Sequence, residues 1–189
     1  MTLGALTASV AILLSQELSS KGFDVLFDHA SKGTVPPETL GKIASWFGPE
    51  YNSITRLGFL DMAVVSKHTQ KALALVEIEE TTDKPKVLLG DILATLLGRG
   101  IKFQGNRDLR IGPWTTLIIM GRSRWPSHQA RISFLLKQAE EIKDKLDKVS
   151  TPNASIGRIV IDLFRDEKDL LERLRRQVET AIQNAGFEN

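Results

Sequence analysis

Leu6, Val10, Leu13, Leu14 and Leu18 recur at helical spacing, and Gly22 follows as a C-terminal stop. The pattern predicts an opening helix of about five turns. "FDVLFDHA" then alternates Phe23, Val25 and Phe27 with more polar neighbours, which predicts a strand. "SKGTVPP" reads as loop, and "PPETLGKIASWFG" as a short helix closed by Gly48. After the break at "GPEYNS", two apolar runs, "LGFLDMAVVS" and "ALALVEIEE", flank the polar "KHTQK", the pattern of a β-hairpin covered on both faces.

"KPKVLLGDILATLLGRG" predicts a helix with Pro85 in its first turn and Gly98 or Gly100 at its end. A polar loop follows, then the β-branched run "WTTLIIMG", a strand of the buried kind. "SHQARISFLLKQAEEIKDKLDKV" is a helix entered through Ser127, "IGRIVIDLF" a further strand, and "RDEKDLLERLRRQVETAIQNAG" a closing helix with Leu170, Leu174, Val178 and Ile182 on one face. The fold class is α/β: helix, strand, strand, strand, helix, strand form a unit with a mixed sheet, which the last third extends. There is no internal repeat and no low-complexity segment.

Composition narrows this little. A chain of 189 residues with 42% hydrophobic residues fits one domain with a sizeable core. Its 25 basic and 23 acidic residues leave a net charge of +2, so a nucleic-acid surface has to come from local clustering. The absence of cysteine excludes disulfides, a thiolate nucleophile and cysteine zinc sites, and fits a reducing cytoplasm. The apolar opening segment lacks a basic start and is interrupted by Thr7, Ser9 and Ser15, so it reads as an amphipathic helix and not as a signal peptide. No other window approaches the roughly 20 apolar residues of a membrane span.

The chemistry concentrates at the end of "ALALVEIEE". Alternation puts Glu77 and Glu79 on one face with Leu73 and Leu75, and Val76 and Ile78 on the other. With a five-residue loop from Lys67 to Lys71, Ser66 lies opposite Ala72 and Asp61 opposite Glu77. A four-residue loop would instead place Asp61 opposite Val76, turned to the other face. Directly opposed β-carbons lie about 4.5–5.5 Å apart, where like charges repel. A shared proton would offset that repulsion, as would a bound Mg²⁺ or Mn²⁺ with its preference for oxygen ligands. The plainer alternative has Asp61 capping a bulge and the glutamates forming a solvated strand end.

In order and in residues this region resembles the PD-(D/E)XK nuclease superfamily, the fold of restriction endonucleases and Holliday-junction resolvases. That resemblance implies a three-layer α/β/α fold with a central mixed sheet, an αβββαβ core over residues 1–121 and a helix–strand–helix extension over 122–189, all within one domain. Asp61 takes the place of the family's first acid and "Glu77-Ile78-Glu79" that of its acid-X-Lys triplet. The stretch "VEIEETTDKPKVLLGDI" is also similar to the "EIEE…PK…GDI" run of some uncharacterised members. Leu60 stands where the family has Pro. Glu79 stands where it usually has Lys, and Lys86, on the first turn of the next helix, is the candidate to project back in its stead. Glu17 is the only acid on the first helix, and Asp91 lies in the middle of the helix after the triplet; both are weaker candidates.

The resemblance implies a metal-dependent endonuclease hydrolysing DNA phosphodiester bonds in restriction, repair or recombination. Asp61, Glu77 and Glu79 would hold Mg²⁺ or Mn²⁺, with Glu79 as ligand or general base, and a homodimer is expected. DNA phosphates would be met by Lys102, Arg107 and Arg110 in "IKFQGNRDLR" and by Arg122 and Arg124 in "GRSRWP". The missing triplet lysine keeps a second reading open, a catalytically inactive DNA-binding or regulatory module on the same fold. A third is an interaction domain whose acids only solvate a strand end. His29, His68 and His128 lack ligand spacing and are expected to have no catalytic part. No Walker loop, dinucleotide fingerprint or serine elbow is present.

Overall fold

The structure, a computed structural model, describes residues 4–28, 35–123, 128–148 and 155–187. Its elements in chain order are α1 (Ala5–Ser19), β1 (Phe23–Phe27), β2 (Ile43–Trp46), β3 (Arg56–Leu60), β4 (Met62–Ser66), β5 (Ala72–Glu79), α2 (Pro85–Leu96), β6 (Gly100–Phe103), β7 (Arg107–Leu109), β8 (Thr116–Arg122), α3 (Gln129–Lys148), β9 (Arg158–Phe164) and α4 (Glu167–Asn184). The class is mixed α/β. A five-stranded sheet runs in the order β1-β4-β5-β8-β9, antiparallel from β1 to β5 and parallel from β5 to β9. A second sheet of four antiparallel strands has the order β3-β2-β6-β7.

The five-stranded sheet is covered on both faces, which is why β4 and β8 and most of β5 read as unbroken apolar runs. On one face α1 and α4 pack Leu6, Val10, Leu14, Leu170, Leu174 and Val178 against Val64, Val76 and Met120. On the other face α2 and α3, with the inner side of the second sheet, enclose Ala63, Leu75, Leu88, Ile92, Ile119 and Phe103. Each aliphatic or aromatic side chain buried in this way contributes about 1.5–3 kcal/mol. Leu13, expected on the packed stripe of α1, is instead 37% exposed, and Thr7 and Ser15 turn inward. α4 is capped by Asp166, whose carboxylate accepts from the Asp169 amide at 2.9 Å. Among the described residues no helix is long and apolar enough to cross a membrane.

Three departures from the sequence expectation shape the second sheet and the site. Residues expected as a helix before Gly48 form a 3-10 turn at Pro37–Thr39 and then β2. The polar segment after Gly100 is the β6–β7 hairpin, turned by Gln104 and Gly105 in left-handed backbone conformation (φ 52° and 76°). "LGFLDMAVVS" is not one strand: β3 belongs to the second sheet and β4 to the first, and the chain crosses between them at Asp61.

The β4–β5 turn differs as well. The Ser66 amide donates to Lys71 O at 3.0 Å and Val65 pairs with Ala72, one residue out of step with the five-residue loop. Between Val64 and Val65 the register shifts, because Leu73 is an extra residue on β5. Beyond this bulge Val64 faces Ala74 and Met62 faces Val76. The shorter turn and the bulge cancel, so from Val64–Ala74 to Met62–Val76 the pairing has the register expected of the five-residue loop; it ends there, and Asp61 lies in the bend before β4 with its amide on Val76 O. Leu73 itself turns to the α1 side, away from the face it was expected to share with the glutamates.

Candidate functional site

Where β4 ends, β5 continues, and its outward amides and carbonyls need new partners. Asp61 supplies them. Its backbone N–H donates to Val76 O at 3.1 Å and its carboxylate Oδ2 accepts from the Ile78 N–H at 2.7 Å. These two bonds straddle Glu77 and hold the Asp61 carboxylate beside it. Ala63 and Leu75, two residues inward on each strand, both face the α2 side. Alternation puts Glu77 on that same face, and Asp61, from the bend before β4, lines the same cleft.

A cleft of about 360 Å³ opens here, lined by Phe59, Asp61, Glu77, Glu79 and Asp91 together with Gly4, Thr7, Ile78, Glu80 and Thr81. Among the described residues no lysine or arginine lines it. Burial, followed by the charges of Asp61 and Asp91, pushes the Glu77 carboxyl well above the usual range; the Asp61 amide offsets part of this, and Glu79 adds to the rise. Burial raises Glu79 too. Asp91 is pushed up to about 7 by burial, then by Glu79 and Asp61, and its Oδ2 is a buried oxygen with no hydrogen-bond partner. The expectation of a solvated strand end thus misses the dominant feature, which is desolvated carboxyls facing one another. Asp61 does cap an interrupted ladder, its Oδ2 accepting from the Ile78 amide.

Glu80 belongs to the same acidic run and behaves differently. Its carboxylate accepts from Thr7 N and Thr7 Oγ, each at 2.8 Å, and from Gly4 N at 3.2 Å, tying the end of β5 to the N-terminus of α1. A negative side chain at that helix end satisfies amides that lack an intrahelical partner.

Of the weaker candidates, Asp91 enters the cleft and Glu17 does not: Glu17 forms an ion pair with Arg175 of α4. Lys86 is exposed on the first turn of α2 and does not line the cleft, because the helix turns it outward. The nucleic-acid candidates divide. Arg110 Nη1 donates to Thr69 O at 3.4 Å and Arg107 bonds Gln70, which places both by the β4–β5 turn, at the opposite end of β5 from Glu77. Lys102 pairs with Asp108 at 2.8 Å on the second sheet. Arg122 stands next to the cleft, with Nη1 donating to Glu80 O at 3.4 Å, and Arg124 lies outside the described residues.

Glu80 and Thr81 also line an adjoining pocket of about 420 Å³. On its wall Asp83 bonds His128 Nδ1, which also lies 3.3 Å from Ser123 Oγ. Burial would raise Asp83, and the hydrogen bonds from Ser123 and His128 outweigh it and hold the carboxyl low. That contact gives His128 a structural partner which its isolated place in the sequence did not reveal.

The cleft's donors are all oxygens, and its carboxyls stay crowded without a basic side chain among them, a set suited to a hard divalent cation. Among the described residues, no group of three or more His, Asp or Glu side chains is drawn together as a metal site. In comparisons with known proteins no family model matches the chain, and neither a curated protein nor a solved structure matches it.

Proposed function

We propose that the chain is a metal-dependent nuclease of the restriction endonuclease-like fold, hydrolysing DNA phosphodiester bonds at the cleft of Asp61, Glu77 and Glu79. The observation that carries this reading is the convergence of Asp61, Glu77, Glu79 and Asp91 on one cleft, where the Asp61 carboxylate accepts from the Ile78 amide next to Glu77. The order of elements supports it: α1, three antiparallel strands β1, β4 and β5, then α2 and the parallel β8, with β2–β3 and β6–β7 as two insertions and α3, β9 and α4 as the extension.

Asp61, Glu77 and Glu79 would hold Mg²⁺ or Mn²⁺, with Asp91 beside them; its buried, unpartnered Oδ2 fits a further oxygen ligand or a bond to a bound water. When bound, the ion supplies Lewis-acid polarisation of a phosphate oxygen and lowers the pKa of a water. The chain's part is positioning and proton transfer. The Ile78 amide fixes the Asp61 carboxylate. Glu79, whose carboxyl burial raises above its ordinary value, is suited to accept a proton from the attacking water. Protons held by Glu77 and Asp91 must leave before a cation binds, so ion affinity rises as pH increases through about 7.

Glu79 in place of the triplet lysine, with Lys86 turned away from the cleft, favours a second reading, a nuclease fold that binds DNA without cutting it. Digestion of plasmid, single-stranded and branched DNA with Mg²⁺, Mn²⁺ or EDTA separates the two. The nuclease reading expects cleavage that EDTA abolishes and that Asp61→Asn or Glu77→Gln lowers by about 100- to 1,000-fold. DNA binding without cleavage under any of these conditions selects the second reading, and neither binding nor cleavage overturns both. The homodimer expected from the family resemblance is tested separately, by light scattering of the protein in solution.

A further inference from the structure

The second sheet packs one face on α2 and the core; on the other, Ala44 is buried, Trp46 and Lys102 are partly exposed, and Phe59, Lys42 and Arg56 are exposed. Gly58, Ser45 and Leu60 face inward: a Cβ on Gly58 would meet Ala94 of α2 at 3.9 Å, and Ser45 Oγ donates to Ala94 O at 2.7 Å. The residues between them point the other way. Phe59, Ala44, Lys102 and Asp108 pair in a row across the four strands, so they share the outer face. Lys42 and Arg56 join it through Phe59, their charged groups 4.7 and 4.4 Å from its ring centroid. Trp46 lies over Gly100 on the same side and meets Tyr51 edge to face at 6.5 Å.

Two properties of this face point to a ligand. It combines aromatic surface with positive charge: Phe59 is 37% exposed, and no carboxylate among the described residues forms an ion pair with Lys42 or Arg56. It is also continuous with the acid cleft, since Phe59 is a wall of that cleft and Asp61 follows β3 by one residue beyond Leu60. Bases stack on aromatic rings whatever their sequence, and flanking cations meet the backbone phosphates. A duplex keeps its bases inside and has no use for exposed rings.

We propose that the outer face of the second sheet, centred on Phe59 with Lys42 and Arg56, is a platform for single-stranded nucleic acid that leads the strand into the acid cleft. The inference rests on the phosphodiester reading of that cleft and specifies its substrate as unpaired strand. Lys102 takes a lesser part because Asp108 already neutralises it.

The test is fluorescence anisotropy of a labelled oligothymidylate of about 20 nucleotides, and of a duplex of the same length, titrated with the full chain in EDTA so that no cutting intervenes. The platform requires the single strand to bind more tightly than the duplex. Lys42→Gln combined with Arg56→Gln is expected to weaken binding about tenfold and to flatten the salt dependence by about 0.7 per cation lost. Phe59→Ala is expected to weaken it about tenfold with the salt dependence unchanged. Circular dichroism and the thermal midpoint check that these exposed substitutions leave the fold intact. Equal or tighter binding of the duplex, no binding of the single strand, or wild-type affinity in both variants overturns the platform. Because no metal is present, those outcomes are independent of whether the cleft cuts; tight single-strand binding without Mg²⁺-dependent cleavage would keep the platform and remove the nuclease.

Discussion

Two acidic clusters in this molecule have similar residue types and opposite electrostatics. At the end of β9 and the start of α4, Asp162 and Asp169 share the guanidinium of Arg173, at 3.0 and 2.8 Å, and Arg165 adds a second cation to Asp169. Burial would raise Asp169, but bonds from Arg173 and from the amide and side chain of Arg165 outweigh it and hold the carboxyl below its usual range. In the cleft, burial and like charges act together, and Glu77, Glu79 and Asp91 are all pushed up. The first cluster is complete as it stands and needs a structural explanation only. In the second, among the described residues no cation forms an ion pair with Glu77, Glu79 or Asp91, which is where a bound cation has something to contribute.

That contrast can be broken from either side. The largest effect is expected from Arg173→Met, which strips the compensated cluster of its shared cation and leaves half-buried carboxylates facing each other. A loss of about 2 kcal/mol in urea unfolding is expected at pH 7, with most of it recovered near pH 3 where the carboxyls are protonated. A smaller effect of opposite sign is expected from Asp91→Asn. Because the folded-state carboxyl is raised to about 7, wild-type stability is greatest below the ordinary aspartate range and falls as pH rises through about 7. The substitution should therefore raise stability by about 1 kcal/mol at pH 8, discounted for partial exposure, and by nothing near pH 4. The smallest is Glu80→Gln, which keeps an acceptor for α1 but removes the charge at its N-terminus, at about 0.5 kcal/mol. A thermal midpoint that moves more for Glu80→Gln than for Arg173→Met would show that the two clusters are not distinguished as described.

Long patterns carried much of the fold. α1, β1, the β4–β5 pair, α2, β8, α3, β9 and α4 each have a periodic or continuous apolar signature that a window of sequence contains in full. The second sheet did not show itself, for local reasons. Leu40, Ile43 and Phe47 fall at helical spacing, so a short run that pairs as β2 imitates a helix turn. β6 and β7 are so brief that Ile101, Phe103 and Leu109 were outweighed by the charged residues between them, although Gln104-Gly105 is a hairpin turn signal. Of the site, Asp61 and Glu77 were legible from alternation, while Asp91 was not, because only the packing of α2 on β5 decides which of its residues overlook a strand end. Lys86 failed for the same reason in reverse. Nothing in "LGFLDM" marks Asp61 as the point where a strand leaves one sheet for another, yet that departure frees the Ile78 amide to orient its carboxylate.

The bulge at Leu73 and the length of the β4–β5 turn set the register together. Their sum decides which residue of β5 comes level with the start of β4, next to Asp61. The hairpin can gain a residue at its tip if it loses Leu73 and keep that register. Two residues added within either strand would preserve the faces but slide the pairing by about 7 Å, carrying Glu77 away from Asp61. A single added residue has to be taken up as a bulge, as Leu73 is, or it exchanges the two faces of the strand beyond it.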